Sequence, residues 1–130
     1  VECTKSALGT KLFWAFAIKG EKAIEDYIDY TFSLCKDFYF LLNKDSEFEV
    51  PYNPQSNILC FRYVKYSIND EFQLKLRYKI INNKHFYITS CEMNNLRYLR
   101  VVLLNPRTNI GHLKDLITEI KKNADILANQ

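Results

Sequence analysis

The chain has 130 residues, 48% of them hydrophobic and 25% charged, the balance of an ordinary globular protein with room for one compact core. Three Gly and three Pro stand against nine Tyr and nine Phe, which describes long regular elements around an aromatic core and excludes a disordered or linker-like chain. The net charge of +3 is too mild to point to a nucleic-acid partner, and no apolar run reaches the ~18 residues of a membrane span.

The first segment, Lys5 to Lys19, is rich in helix formers and is stopped by Gly20. Leu8, Leu12, Ala15 and Phe16 fall on one stripe and Trp14 on another, so this helix is expected to be buried or to lie against a second domain, with Trp14 as a core or interface anchor. Its apolar stretch Leu12–Ile18 lacks the small-residue cleavage site of a signal peptide. Val1 rather than Met opens a strongly patterned segment, and the chain is expected to be a piece of something longer.

From Glu21 to Leu42, apolar residues including Ile24, Tyr27, Ile28, Leu34, Cys35 and Phe38 recur at three- and four-residue steps, one face of a helix. Phe48 and Val50 alternate with Glu47 and Glu49 as a short strand, ended by Pro51 and Pro54. Asn57 to Val64 is an apolar run of strand length interrupted only by Arg62, the pattern of a central strand buried on both faces. Phe72, Leu74, Leu76, Tyr78 and Ile80 alternate as a strand would, yet Phe72, Leu76 and Ile80 also form a helical stripe behind the helix-start residues Asn69-Asp70-Glu71. Strands are then expected at His85–Cys91 and Leu96–Leu104, the latter ending at Asn105-Pro106. Leu113, Leu116, Ile117, Ile120, Ala124 and Leu127 close the chain as an amphipathic helix. This order predicts an α+β fold, a mainly antiparallel sheet of about four strands covered by helices.

No glycine-rich phosphate loop, nucleophile elbow or zinc-binding helix motif occurs, and the carboxylates are scattered over polar faces. A self-contained catalytic site is therefore not expected. Cys3, Cys35, Cys60 and Cys91 form no CxxC pair, and neither His85 nor His112 stands at metal-ligand spacing from them. Free thiols in a reducing cytoplasm fit best, with two disulfides formally open. Both histidines read as surface or core-edge residues.

Arg100 lies inside Leu99-Arg100-Val101-Val102-Leu103-Leu104, a strand too apolar to face water on both sides. Burying an unpaired guanidinium costs several kcal/mol, so Arg100 demands an anion. A substrate carboxylate suits its planar fork; a protein Asp or Glu, or the water at a sheet edge, would serve as well. Arg62 poses the same question nearer a loop, where exposure is easier. Arg107, after Asn105-Pro106, reads as a turn residue that caps the strand or pairs with the next helix.

Three of these stretches carry a resemblance. Glu2-Cys3-Thr4-Lys5 followed by Lys11-Leu12-Phe13-Trp14, then Asn57-Ile58-Leu59-Cys60-Phe61-Arg62-Tyr63, then Leu99-Arg100-Val101 running on to Asn105-Pro106-Arg107-Thr108, together resemble the C-terminal part of group II pyridoxal-phosphate-dependent amino-acid decarboxylases. The resemblance implies a linker helix over residues 1–20 and a C-terminal small domain over 21–130, with a helix rather than a strand over Asp70–Ile81. It implies partners: a large cofactor-binding domain of the same chain, a second subunit in a homodimer, and an amino-acid substrate, with no nucleic acid and no membrane. It also assigns Arg100 the position of a substrate-carboxylate anchor. The family's cofactor lysine follows a His, and this chain has no His-Lys pair. Pyridoxal phosphate is thus expected in the complete enzyme and not on this chain, which is expected to be inactive alone. The competing reading is a free-standing α+β module that recognises RNA or protein through an aromatic sheet.

Overall fold

The structure, a computed structural model, describes residues 8–129. Glu2–Lys5 of the resemblance, Cys3 and the start of the expected first helix lie outside them. The chain forms two compact units, residues 1–30 and 31–130. Helix α1 (Leu8–Lys19) belongs to the first, and helix α2 (Glu21–Asn43) begins there and ends in the second. Gly20 separates the helices at φ +78°, donating its N–H to the Phe16 carbonyl at 2.9 Å. That left-handed cap costs glycine nothing and strains any residue with a Cβ. Within the first unit α1 exposes Leu12, Phe13, Trp14 and Ile18, and the Trp14 and Phe13 rings meet edge to face at 5.5 Å.

In the second unit the remaining elements are β1 (Phe48–Glu49), β2 (Ile58–Tyr63), α3 (Asp70–Asn82), β3 (Thr89–Met93), β4 (Leu96–Val102) and α4 (Ile110–Ala128). The strands form one antiparallel sheet in the order β1-β2-β4-β3, as the segregated pattern predicts. Side chains alternate between its faces. Leu59, Phe61, Tyr63, Leu99 and Val101 point to the side where α2, α3 and α4 bury Phe38, Leu76 and Ile120. Phe61 meets Phe38 edge to face at 5.9 Å, a geometry worth about 1 kcal/mol beyond area burial.

The alternating segment 72–80 is helical, as the resemblance implies. Asn69 caps α3 by accepting from the Glu71 N–H at 2.8 Å, and the buried stripe is Gln73, Leu76 and Ile80. Gln73 substitutes for a missing strand neighbour. Its amide donates to the Tyr63 carbonyl at 2.7 Å and accepts from the Tyr63 N–H at 3.2 Å, satisfying the end of β2 inside the core.

One strand is displaced from its expected place. β3 covers Thr89–Met93 rather than His85–Cys91, because Asn94 and Asn95 adopt φ +53° and +59°, the two left-handed positions of a tight hairpin. That turn sets Met93 opposite Leu96 and fixes the pairing upstream. Ile88 is left outside the ladder but buried, and its carbonyl accepts from Arg77 Nε at 3.1 Å. Asn109 caps α4, with His112 completing a capping box through its Nδ1, which accepts from the Asn109 N–H at 3.3 Å.

Candidate functional site

The register places a second set of side chains on the sheet face opposite the core. Ile58, Cys60 and Arg62 come from β2, Tyr98, Arg100 and Val102 from β4, and Thr89, Cys91 and Met93 from β3. Two arginines, two thiols and a threonine hydroxyl thus share a surface that sequence spacing scatters over some forty positions.

Arg100 is half-buried, opposite Cys60 on one side and Thr89 on the other. Its Nε donates to Thr89 Oγ1 at 3.0 Å. The same hydroxyl donates to the Arg100 carbonyl at 3.1 Å. Thr89 therefore grips Arg100 at both ends and fixes the plane of the guanidinium. Among the described residues the two terminal nitrogens bind no acceptor, and no carboxylate pairs with them. The protein-carboxylate alternative for Arg100 is thus not met among the described residues. Such a fork, with both outer N–H pairs unclaimed, has the geometry to accept a planar anion.

Arg62, nearer a loop where exposure is easier, is instead 2% exposed and takes the protein-carboxylate alternative. A terminal nitrogen donates to the Ile68 carbonyl and pairs with Asp70 at 3.3 Å, while the guanidinium lies 5.5 Å from the centre of the Tyr98 ring. Asp70, at the start of α3, also accepts from the Arg97 N–H at 2.9 Å. Arg62 thus ties α3 to the sheet, and sequence spacing missed it because its partners come from two other elements. Arg107 is exposed in the turn it was expected to occupy, its N–H donating to Asn105 Oδ1 at 2.9 Å. Its side chain pairs with no carboxylate among the described residues.

The thiols were not expected to meet. Cys60 and Cys91, both half-buried, bring their Sγ atoms to 3.5 Å. Burial and the contact with Cys91 push the Cys60 thiol up to about 12, with Arg100 pulling the other way. Cys35 lies in the core, and burial raises it to about 11. A cleft of about 540 Å³, lined by Tyr52, Pro54, Gln55, Ile58, Cys60 and Met93, opens at Cys60. Among the described residues no cluster of three metal-ligating side chains forms, and no helix is long and apolar enough to cross a membrane.

No protein-family model matches the chain. An aromatic-L-amino-acid decarboxylase of Bacillus atrophaeus is 23% identical over 130 residues, covering 96% of this chain and 27% of that protein. Among solved structures, the glutamate decarboxylase domain of a Vibrio parahaemolyticus diaminobutyrate–pyruvate transaminase and L-2,4-diaminobutyrate decarboxylase superposes with a TM-score of 0.81 at 20% identity, covering 88% of this chain and 25% of that one. The Oryza sativa TDC solved with PLP and tryptamine superposes at 0.79 and 19% identity, covering 92% and 27%. This chain has the fold of a segment of such decarboxylases. It spans about a quarter of the length of the proteins it matches, and the resemblance carried by its three sequence stretches agrees with both comparisons.

On the decarboxylase fold the open sheet face can be tested for the cofactor. Pyridoxal phosphate needs a lysine amine for its aldehyde, and strands β2, β3 and β4 carry none. Lys65 pairs with Glu47 and Asp125, and Lys121 with Asp45 and Glu47. The open face of the sheet thus offers the cofactor no lysine from its own strands.

Proposed function

We propose that this chain is the C-terminal small domain of a pyridoxal-phosphate-dependent amino-acid decarboxylase, and that it supplies one wall of the active site with Arg100 as the anchor of the substrate carboxylate. The observation that carries this reading is the Arg100 fork, fixed by Thr89 and paired with no carboxylate among the described residues. The cofactor, its Schiff-base lysine and the chemistry of carboxylate loss belong to the large domain of the complete enzyme, which works as a cytoplasmic homodimer. Alone, the chain is inactive and binds no pyridoxal phosphate.

A fixed guanidinium contributes binding and orientation. Two parallel charge-assisted hydrogen bonds set a carboxylate's position and plane, and such positioning determines how often the reacting bond is aligned. The test is Arg100→Ala in the full-length enzyme, with decarboxylation expected to fall about a thousandfold, ~4 kcal/mol in transition-state binding, and the cofactor absorbance band unchanged. Normal turnover in that variant would refute the assignment, and an imine band on the isolated chain would refute the division of labour.

The alternative module needs an exposed aromatic platform on the sheet. Phe48, Phe61, Tyr63 and Tyr98 are all buried, so no observation favours it.

A further inference from the structure

Cys60 and Cys91 stand on β2 and β3, the two strands that flank β4. Flanking strands lie two inter-strand spacings apart, yet the Sγ atoms of this pair converge to 3.5 Å over the middle strand. The sheet therefore holds two thiols close enough at the sulfurs to bind one atom between them. Bonds of about 2.3 Å, the length of zinc–thiolate bonds, at a pyramidal angle of about 100° place two sulfurs roughly 3.5 Å apart. The matching chemistry is a single soft, three-coordinate centre.

We infer that Cys60 and Cys91 form a dithiol site for trivalent arsenicals. The cleft lined by Tyr52, Ile58, Cys60 and Met93 gives a small organic arsenical a path to Cys60, whose sulfur touches that of Cys91, and apolar walls for its aryl group. The reaction balances without an oxidant. An arsenoso compound, R–As=O, gains two As–S bonds and loses its oxygen, which leaves as water with the two thiol protons; arsenic stays trivalent and both sulfurs stay at the thiol level. Arg100, opposite Cys60, favours the thiolate as the proton leaves. A lone thiol such as Cys35, sealed in the core, offers neither a second sulfur nor a path.

The experiment treats the purified chain with phenylarsine oxide and reads the intact mass. One phenylarsenic group is expected per chain with the loss of two hydrogens, stable to excess monothiol and released by 2,3-dimercaptopropanol. Proteolysis of the unmutated adduct should yield the Cys60 and Cys91 peptides joined through arsenic, a readout that needs no variant to fold. Cys60→Ser and Cys91→Ser should each lose the monothiol-resistant adduct, and the Cys3→Ser/Cys35→Ser double variant should keep it. Failure of the unmutated chain to take up the reagent, or an adduct mapped to Cys3 or Cys35, would overturn the site.

Discussion

Arg62 and Arg100 occupy the same face of the same sheet and meet opposite fates. Arg62 is sealed from water, with a backbone carbonyl, Asp70 and the Tyr98 ring gathered around its guanidinium. Among the described residues Arg100 is gripped only at Nε and at its own carbonyl, both by Thr89, and its outer nitrogens meet no acceptor. A cation that the protein surrounds with its own acceptors serves the fold. One that is oriented but left without an anion is available for something else. The difference lies in the neighbours: β2 ends beside the start of α3, where Asp70 stands, while the middle of β4 has only short or neutral side chains across from Arg100.

The comparison breaks first at Asp70. Asp70→Ala leaves Arg62 buried without its counter-ion, and the chain should lose about 3 kcal/mol of stability, seen as a lower urea midpoint. An unchanged midpoint would mean that the Ile68 carbonyl and Tyr98 suffice. Arg100→Lys probes the other arginine, keeping the charge and removing the fork. Stability should hold, while kcat/KM of the full-length enzyme falls about a hundredfold; full activity would reduce Arg100 to a point charge. Thr89→Val removes the hydroxyl that orients Arg100 and should raise KM for the amino acid about tenfold, ~1.4 kcal/mol, with Thr89→Ser restoring it. If Ser fails to rescue, Thr89 serves packing alone.

The smallest effect concerns a charge cluster that is neither sealed nor open. Burial pushes the Glu47 carboxyl up, but hydrogen bonds from Lys121, Lys65 and Tyr63 outweigh it and leave the group below its ordinary value. Asp45 and Asp125 share the same two lysines. A lowered carboxylate stabilises the fold above the ordinary carboxylate range and loses that contribution as pH falls through the folded value. Glu47→Gln should therefore cost less than about 1 kcal/mol at neutral pH, with the gap to the parent closing in acid. A gap that persists in acid would assign the loss to packing.

Much of this contrast was hidden from the sequence for reasons of distance. The helical stripes of α2 and α4 are local, and they appear where the three- and four-residue spacing puts them. Arg100 stood out because a charge inside a strand this apolar asks for an anion, and its partner Thr89 did not, because it comes from another strand. Arg62 looked like the safer residue to expose, and only Ile68, Asp70 and Tyr98 together show otherwise. β3 was misplaced because alternation finds strands and says little about where a turn sets them, and Asn94-Asn95 carried that information. Thr89 beneath Arg100, and Cys91 beside Cys60, follow from register across β4, which no single segment records.

That asparagine pair has a consequence for anyone who edits the loop. Side chains in a strand change face with every residue, so any edit at Asn94-Asn95 that slips the pairing of β3 by one residue is a parity error for the whole strand. Thr89 and Cys91 would turn toward the helices while Ser90 and Glu92 came out in their place. Arg100 would lose its orienting hydroxyl and Cys60 its companion sulfur in the same event, although neither the arginine nor the cysteine had been touched. Two residues in a turn thus act as the frame in which the chemistry of the opposite face is read.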